Sequence, residues 1–490
     1  MDMGISQMNI KAISRNVGMA LLVSAVFMFI SAGVSYFNDM DSAMTPLLIS
    51  GIITFIVGQF PLIFVRERAD ISMSEGFVTI VLSWLLSFVF GMLPYVMWGG
   101  EFSLINAWFE SASGYTTTGG TILTDVEALP DGLLFWRSST HFIGGLGIIA
   151  FLLLIMPKSY ANKLKLTNIE ISSLAKQGYR SRPVKAINIM FIVYVGLVVT
   201  EVICLVLAGM PLFDSVNHAF STVATGGFAI KNSSIAYYDS SLIDIIIIVF
   251  MLLSSLNLGV IFSAVQSRSL RPLNNPVVKF FLLSFVVLSL VVGLNLIFTG
   301  TYTNWGKAFL DGTFQVASQI STTGFAIADN NLWPPLACII LLYASFQCGC
   351  SGSTNGGVKS DRMLIMFKAI GLQMKRTLHP SYVMELRVGE DHVKDSRVQQ
   401  VVIFICFYIA ILLLSFVLLL LSGVDVAEAF SGPLTCMSNS GPGMGQIGTM
   451  GNYSALPAFA KFVLTIDMLV GRVEIYPFFL FFATFFRRDY

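Results

Sequence analysis

Charge is scarce in this sequence, and its scarcity excludes the soluble classes of protein. Only 12% of the 490 residues are Asp, Glu, Lys or Arg, whereas a soluble domain has about 25%. The 29 Lys and Arg nearly balance the 28 Asp and Glu, so the net charge of +1 offers no basic field for nucleic acid. Six cysteines are too few to form a disulfide scaffold in a chain of this length.

Long apolar runs are abundant in the sequence. Hydrophobic residues make up 55% of the chain, and the mean hydropathy is +0.77. The first run, Val17 to Phe37, has no charged residue; it is long enough to cross a bilayer and too long for a signal peptide. The expected fold is therefore an all-α polytopic membrane protein. Windows of about 20 apolar residues predict ten membrane-spanning helices, which begin near residues 17, 46, 76, 133, 186, 240, 280, 331, 398 and 456.

The basic residues are unevenly distributed between the connections. Most of the 29 Lys and Arg lie at the two termini or in the segments 66–75, 158–185, 266–279 and 359–397. Because basic connections stay on the cytoplasmic side, these segments and both termini are predicted to be cytoplasmic. The segment 158–185 has two interpretations. It is either an orientation signal that touches lipid headgroups or, together with 359–397, a docking surface for a cytosolic regulator.

Four connections on the opposite side are too long and too apolar to be plain loops. They span residues 100–132, 210–239, 300–330 and 425–455. The first half of each is typical of a short helix of roughly ten residues. The second half is rich in Thr, Ser, Asn and Gly, whose backbone groups would be unsatisfied in lipid. Each connection is therefore predicted to return into the membrane and to line water or protein.

The second halves share a short pattern around a glycine. The four copies are Thr117-Thr118-Gly119-Gly120, Thr225-Gly226-Gly227-Phe228, Thr322-Thr323-Gly324-Phe325 and Asn439-Ser440-Gly441-Pro442. Thirteen positions before these glycines stand Asn106, Asp214, Asp311 and Glu428. Because Asn and Asp favour helix N-caps, each repeat is predicted to be a helix, a pore helix, a glycine strand and a second helix. In the first copy, Gly120 could also be the glycine that aligns with the other three copies. Asn106 favours Gly119, because it stands thirteen positions before that residue.

This arrangement predicts a site for a monovalent cation. Four pore helices would aim their C-terminal carbonyl ends, each worth about half a negative charge, at a common centre. Glycine permits backbone with positive φ, and threonine hydroxyls add oxygens without adding charge. Carboxylates, which Mg²⁺ and Ca²⁺ prefer, are absent from the four strands. The predicted ligands, mostly through backbone carbonyls, are Thr117, Thr118, Gly119, Thr225, Gly226, Gly227, Thr322, Thr323, Gly324, Asn439, Ser440 and Gly441.

These repeats resemble the Trk/Ktr/HKT superfamily of potassium transporters, and the ten-span layout resembles its TrkH-type membrane subunits. Further matching residues are Trp136-Arg137-Ser138, the run from His141 to Gly147, the tract 349–357 and Gly471-Arg472-Val473-Glu474. The resemblance implies potassium uptake across the bacterial inner membrane, with K⁺ at the filter residues and no cofactor bound by this chain. It also implies a homodimer with one pore per subunit, and a cytosolic nucleotide-binding regulatory partner of the TrkA type.

The repeats divide the chain into five predicted parts. Residues 1–70 form a two-helix extension, which the resemblance places outside the pore. Four pore repeats in a pseudo-fourfold arrangement follow, at 71–160, 161–268, 269–375 and 376–490, and the third contains the predicted gating loop.

The Gly- and Ser-rich tract 349–357 interrupts the predicted second helix of repeat 3. It is either the glycine-rich end of a helix or a mobile intramembrane loop below the filter that blocks the ion path. The resemblance favours the loop. Arg472, in the middle of the last span, is either an electrostatic barrier to the cation or half of an ion pair with another helix. The predicted gate consists of Gly349, Gly352, Gly356, Gly357 and Arg472.

Two polar residues on the second helix of repeat 1 are expected to support the structure. Arg137 is predicted to brace a pore loop or to extend towards the membrane surface, and His141 to pack with a hydrogen bond.

Two rival functions remain to be tested. One is a sodium-permeable, or Na⁺- or H⁺-coupled, transporter of the same fold; relatives in the plant branch favour Na⁺ when the first filter has serine in place of glycine. The other is an intramembrane serine protease, because Gly349-Cys350-Ser351-Gly352 matches a rhomboid-like motif. No histidine is predicted in a neighbouring span at the depth of that serine, so an enzyme is not expected.

Overall fold

The computed structural model describes residues 8–65, 72–147, 183–379, 385–389 and 391–486. Within these ranges the chain is predominantly helical, as predicted. Two short antiparallel strands, β1 (Leu386–Val388) and β2 (Asp391–Val393), form a hairpin near the start of the predicted fourth repeat. Most of the basic segment 158–185 lies outside the described residues.

The chain begins with a pair of long helices, Ile10–Phe37 and Met44–Phe64. The two helices approach closely at Gly18 and Gly58. A Cβ added to either glycine would crowd the carbonyl oxygen of the other. Small residues at such a crossing let two apolar helices pack backbone to backbone. The outer side of the second helix is left exposed along most of its length.

Four helical units of similar construction follow, each with a long first helix, a short pore helix and a second helix. Unit 1 contains Met73–Gly91, Leu93–Trp98, Leu104–Tyr115 and Asp131–Leu146. Unit 2 contains Pro183–Leu207, Leu212–Val223, Ser241–Ser254 and Leu258–Ser267. Unit 3 contains Pro276–Phe298, Trp305–Ile320, Pro335–Gln347 and Ser360–Leu378. Unit 4 contains Asp395–Leu421, Val426–Ser438, Ala458–Val473 and Ile475–Phe486. Single 3₁₀ turns occur at Ser234–Tyr238, Arg271–Leu273, Asn330–Leu332 and Gly445–Ile447.

Several of these helices are long and apolar enough to cross a membrane. Among the described residues six helices meet that condition, and a seventh span results if Ser241–Ser254 and Leu258–Ser267, bent by 102°, are counted together. The spans predicted near residues 133, 331 and 456 correspond to helices of 16, 13 and 16 residues. The total of ten spans therefore stays a prediction.

The second helices are short because each one is broken at its C-terminal end. Unit 1 breaks at Gly147 with φ 90°, unit 3 at Cys348 with φ 55°, and unit 4 at Glu474 with φ 67°. In unit 2 the break lies between Ser254 and Leu258. Non-helical backbone therefore follows the second helix in all four units.

The predicted N-caps of the pore helices are wrong in position. The structure places the caps at Ser103, Pro211, Asn304 and Asp425. The predicted capping residues Asn106, Asp214, Asp311 and Glu428 instead lie inside the helices, because these helices have 12 to 16 residues and begin further upstream than expected. Asp214 and Glu428 lie in the first turn, where a carboxylate complements the helix dipole.

Candidate ion-binding site

The four glycine segments after the pore helices have the same backbone conformation. The first residue of each triplet has a left-handed φ of 55°, 55°, 55° and 57°, and the glycine two positions later has a φ of 78°, 82°, 85° and 79°. Left-handed backbone is costly for threonine, so three threonines in that region mark a conformation imposed by the surrounding structure. Gly120 is absent from the residues with positive φ, so the shared geometry begins at Thr117 and ends at Gly119. The first residues are Thr117, Thr225, Thr322 and Asn439, and the glycines are Gly119, Gly227, Gly324 and Gly441.

The same hydrogen bond anchors each segment to its own pore helix. The amide of Thr118 donates to the Ser113 carbonyl at 2.9 Å, and the corresponding distances in the other three units are 2.8, 2.9 and 2.9 Å. These bonds use the amide groups and leave the carbonyl groups available. Within the described chain, no hydrogen bond reaches the carbonyl oxygens of residues 117–119, 225–227, 322–324 or 439–440. Buried carbonyls normally have a partner, so these oxygens require water or a cation.

The four segments contact each other in a closed cycle. A Cβ added to any one of the four glycines would overlap a carbonyl oxygen of the next segment, and the last glycine faces the first segment. The oxygens met by Gly119, Gly227, Gly324 and Gly441 belong to Gly226, Thr323, Ser440 and Thr118, respectively. The structure thus brings all twelve predicted ligand residues together, and the close approach explains why glycine is required at each of these four positions.

Side chains hold the cycle together where unit 4 meets unit 1. Asn439 donates from Nδ2 to Thr118 Oγ1 at 3.0 Å and to the Met468 carbonyl at 3.0 Å. The hydroxyl of Tyr453 donates to the Gly441 carbonyl at 2.6 Å. A cavity of about 80 Å³, lined by Gly119, Gly227 and Gly324 among others, adjoins the segments.

The tract at residues 348–359 is packed against the other end of this assembly. The side-chain Nδ2 of Asn355 donates to the Ser321 carbonyl, at the end of pore helix 3, at 2.5 Å. The Cys350 amide donates to the Ser255 carbonyl, at the break of unit 2, at 2.9 Å. Gly356 abuts the side chain of Asn439 in unit 4. Most residues of the tract are buried, so it is an internal loop rather than a solvated turn at the end of a helix.

Arg472 connects this loop to unit 1. Its Nη1 donates to the Thr354 carbonyl at 2.5 Å, and its Nη2 donates to the carbonyls of Gly144 and Gly145 at 2.5 and 2.8 Å. Glu474, two residues further on, forms ion pairs with Arg362 at 2.8 Å and Lys359 at 3.6 Å. The loop is therefore held on one side by an arginine and on the other side by ion pairs.

Comparison with known proteins identifies the family. The model of the TrkH family, described as a cation transport protein, matches residues 45–489. The chain belongs to this family. TrkH of Salmonella typhimurium, a Trk system potassium uptake protein, is 33% identical over 431 residues, which are 86% of this chain and 88% of that protein. TrkG of Escherichia coli, which carries the same description, is 34% identical over 422 residues, 85% of this chain and 86% of that protein.

A solved structure supports the same assignment to the TrkH family. The crystal structure of the potassium transporter TrkH from Vibrio parahaemolyticus superposes with a TM-score of 0.88 at 31% identity, covering 98% of this chain and all of that chain. Because the TrkH family consists of transport proteins, the protease alternative is rejected. Ser351 donates its hydroxyl to Asp361 at 2.7 Å, and His141 contacts Ser221 in a different unit.

Sequence reasoning missed one charged residue of this TrkH-family site. Glu110, in pore helix 1, forms a fully buried ion pair with Arg137 at 2.8 Å. The position of Glu110 could have identified it in the sequence. Glu110 lies in the C-terminal half of its pore helix, whereas Asp214 and Glu428 lie in the first turn of theirs. His141 has the packing role expected of it: its ring stacks on Phe228 and Nδ1 lies 3.2 Å from Ser221 Oγ.

Proposed function

We propose that this chain conducts K⁺ into the cell across the bacterial inner membrane, as the membrane subunit of a Trk-type uptake system. The observation that carries the proposal is the closed cycle of four segments whose carbonyl oxygens, apart from that of Gly441, have no hydrogen-bond donor among the described residues. Relatives named as potassium uptake proteins, at 33% and 34% identity over most of the chain, support the choice of ion.

In this proposal the filter selects its ion through neutral oxygens. The carbonyls of the four segments replace the hydration shell of K⁺, which is easier to remove than that of smaller or divalent cations. The pore helices add the negative ends of their dipoles. The anchored amides, such as that of Thr118, fix the direction of each carbonyl because the neighbouring peptide units cannot rotate freely.

The proposed architecture places the filter on a pseudo-fourfold axis. Four repeats, at 71–160, 161–268, 269–375 and 376–490, surround one pore, and the helix pair within 1–70 lies outside it. Ten spans leave both termini in the cytoplasm. The repetition of the helix order and of the filter backbone in the four units supports this arrangement.

The gate of the proposed pore is the loop at 348–359 together with Arg472. Gly349, Gly352, Gly356 and Gly357 allow the loop to pass under the filter, where little room exists for side chains: a Cβ on Gly349 or Gly356 would crowd neighbouring residues. The guanidinium of Arg472, held by three carbonyls, adds a positive charge that repels a cation. With the loop and Arg472 in these positions, the pore would be closed.

Opening of the gate would require a cytosolic partner. The proposed partner is a TrkA-like nucleotide-binding regulatory protein acting on a homodimer of this chain. Support comes from the relatives, which are named as parts of a Trk system. The basic helix Ser360–Leu378, with Lys368 and Lys375, begins where the loop ends and offers a direct mechanical connection.

Growth and flux experiments test the proposal. Expression in a bacterium that lacks its own potassium uptake systems should restore growth at low K⁺, and the Gly324→Ser variant should fail to restore it because its Cβ would displace the Ser440 carbonyl. Uptake of Na⁺ should be measured in the same cells. Rescue by wild type and variant alike would reject the role of the filter, and Na⁺ uptake equal to K⁺ uptake would favour the sodium-permeable alternative.

A further inference from the structure

A buried ion pair connects the ends of two filter segments. Arg137 is on the second helix of unit 1 and Glu110 is on pore helix 1, and their side chains are 2% and 0% exposed. Two nitrogens of the arginine, Nε and Nη2, lie 2.9 and 2.8 Å from one oxygen of the glutamate. A pair buried this deeply is expensive to form and is not explained by stability alone, since apolar residues of similar size often serve stability as well or better.

The other side-chain hydrogen bonds of the pair reach residues two or three positions after a filter glycine. Glu110 accepts hydrogen bonds from the Thr121 hydroxyl at 2.9 Å and from the Ile122 amide at 3.0 Å, just after filter 1. Arg137 donates from Nη2 to the Thr121 hydroxyl oxygen at 3.3 Å and from Nη1 to the Ala229 carbonyl, just after filter 2, at 3.2 Å. Its guanidinium also lies 4.0 Å above the Phe228 ring. The pair therefore bridges two neighbouring repeats.

The other units show how unusual this connection is. At the position of Glu110, nine residues before the filter glycine, units 2, 3 and 4 have His218, Gln315 and Gly432. Gln315 makes an uncharged version of the contact within its own unit, by donating from Nε2 to the Ala328 carbonyl at 2.8 Å. Only unit 1, among the described residues, has an ion pair at this position.

We propose that Glu110 and Arg137 are positioning residues that set ion selectivity by fixing the distance between filters 1 and 2. The inference rests on the proposed potassium function. Discrimination between K⁺ and the smaller Na⁺ requires that the carbonyls do not close around the smaller ion. With the ion pair in place, Thr121, Ile122 and Ala229 cannot shift independently of one another. Without it, the two filters lose the buried anchor nearest their glycines and adapt to Na⁺.

A second role follows from the position of the charges. Arg137 lines the cavity beside the filter glycines, so its positive charge would oppose K⁺ entry if Glu110 did not neutralise it. Removal of Glu110 alone should therefore raise the KM for K⁺, whereas removal of both charges should bring the KM back and still leave selectivity low.

The test compares four variants of the full-length protein by K⁺ and Na⁺ flux in lipid vesicles, normalised to folded protein. The double variant Glu110→Gln/Arg137→Gln should lower the K⁺ to Na⁺ flux ratio by about tenfold. Arg137→Lys should give an intermediate ratio, because an ammonium can pair with Glu110 but cannot reach Thr121 and Ala229 as well. Glu110→Gln should raise the KM above that of the double variant.

The matched control neutralises another ion pair near the filter. Glu127 and Lys231 are 3.7 Å apart, and their side chains are 39% and 23% exposed. The variant Glu127→Gln/Lys231→Gln should keep the wild-type flux ratio.

The inference is overturned if folded Glu110→Gln/Arg137→Gln keeps a K⁺ to Na⁺ flux ratio within twofold of wild type. It is also overturned if the KM of this double variant for K⁺ equals that of Glu110→Gln. Should the double variant fail to fold, an unchanged ratio in folded Arg137→Lys overturns it. A wild-type protein that shows no K⁺ flux would instead reject the proposed function itself.

Discussion

The strongest single prediction concerns Gly227, where a methyl group should degrade selectivity. The residue has a φ of 82°, and its missing Cβ would overlap the carbonyl oxygen of Thr323 in the next filter segment. In Gly227→Ala the Thr323 carbonyl must therefore move away from the ion. Among the four filter glycines this approach is closest at Gly119 and Gly227, so Gly441 should be affected less.

Two effects of this substitution can be separated by size. Left-handed backbone costs alanine about 1–2 kcal/mol, which lowers stability and leaves selectivity unchanged. A displaced carbonyl removes one oxygen contact whose net worth is about 0.5–1.5 kcal/mol, and this loss falls mainly on K⁺ because the displaced filter adapts to the smaller ion. The ratio of K⁺ flux to Na⁺ flux should therefore decrease by a factor of about two to ten.

The chain offers a matched control for the backbone effect. Gly300 has a similar φ of 74°, and a Cβ there would meet nothing within 4 Å. Gly300→Ala should lose similar stability in a thermal unfolding measurement and keep the wild-type flux ratio. If both variants show the same ratio, the carbonyl of Thr323 does not contribute to selectivity and the assignment of the filter is wrong.

The remaining predictions concern the gate. Arg472→Gln should raise K⁺ flux per folded molecule, because two unit charges about 6 Å apart interact by roughly 3 kcal/mol at an effective dielectric near 20; poor folding with unchanged flux would contradict the barrier. Deletion of part of the Gly349 to Gly357 tract should raise flux and weaken its dependence on a cytosolic partner, whereas loss of flux in correctly inserted protein would exclude a plug. Glu474→Gln should release Lys359 and Arg362, lowering stability by about 1–2 kcal/mol because the carboxylate is partly exposed. The same variant should raise basal flux, and unchanged flux would show that these ion pairs do not hold the gate.

The shared backbone of the four glycine segments could be predicted from the sequence because its constraints are local. A glycine two positions after a threonine or asparagine reflects the backbone of each strand, and the pattern recurs four times. The N-caps could not be predicted because a helix start depends on the first helical turn, where Ser103 competes with Asn106 and Asn304 with Asp311. The glycine and serine content of residues 349–357 likewise predicted that the second helix of repeat 3 is interrupted there.

The partners of the buried charges could not be predicted in the same way. Glu110 and Arg137 are 27 residues apart, and the Arg472 contact to Gly144 spans 328 residues. Such contacts depend on how the units pack against one another, and no periodicity in the sequence encodes that packing. An isolated charge in an apolar segment predicts that a partner exists but does not identify it.

The hydrogen bond between Asn439 and Thr118 has a consequence for how the protein is made. It joins residues 321 positions apart and completes the contact between the last unit and the first. During synthesis the first three units can enter the membrane and pack, but their filter segments have no closing neighbour until the fourth arrives. If the proposed filter is the ion path, a nascent chain has no complete path, and we expect the membrane to be protected from leakage while translation proceeds. Chains truncated before Asn439 should be inserted without conducting ions.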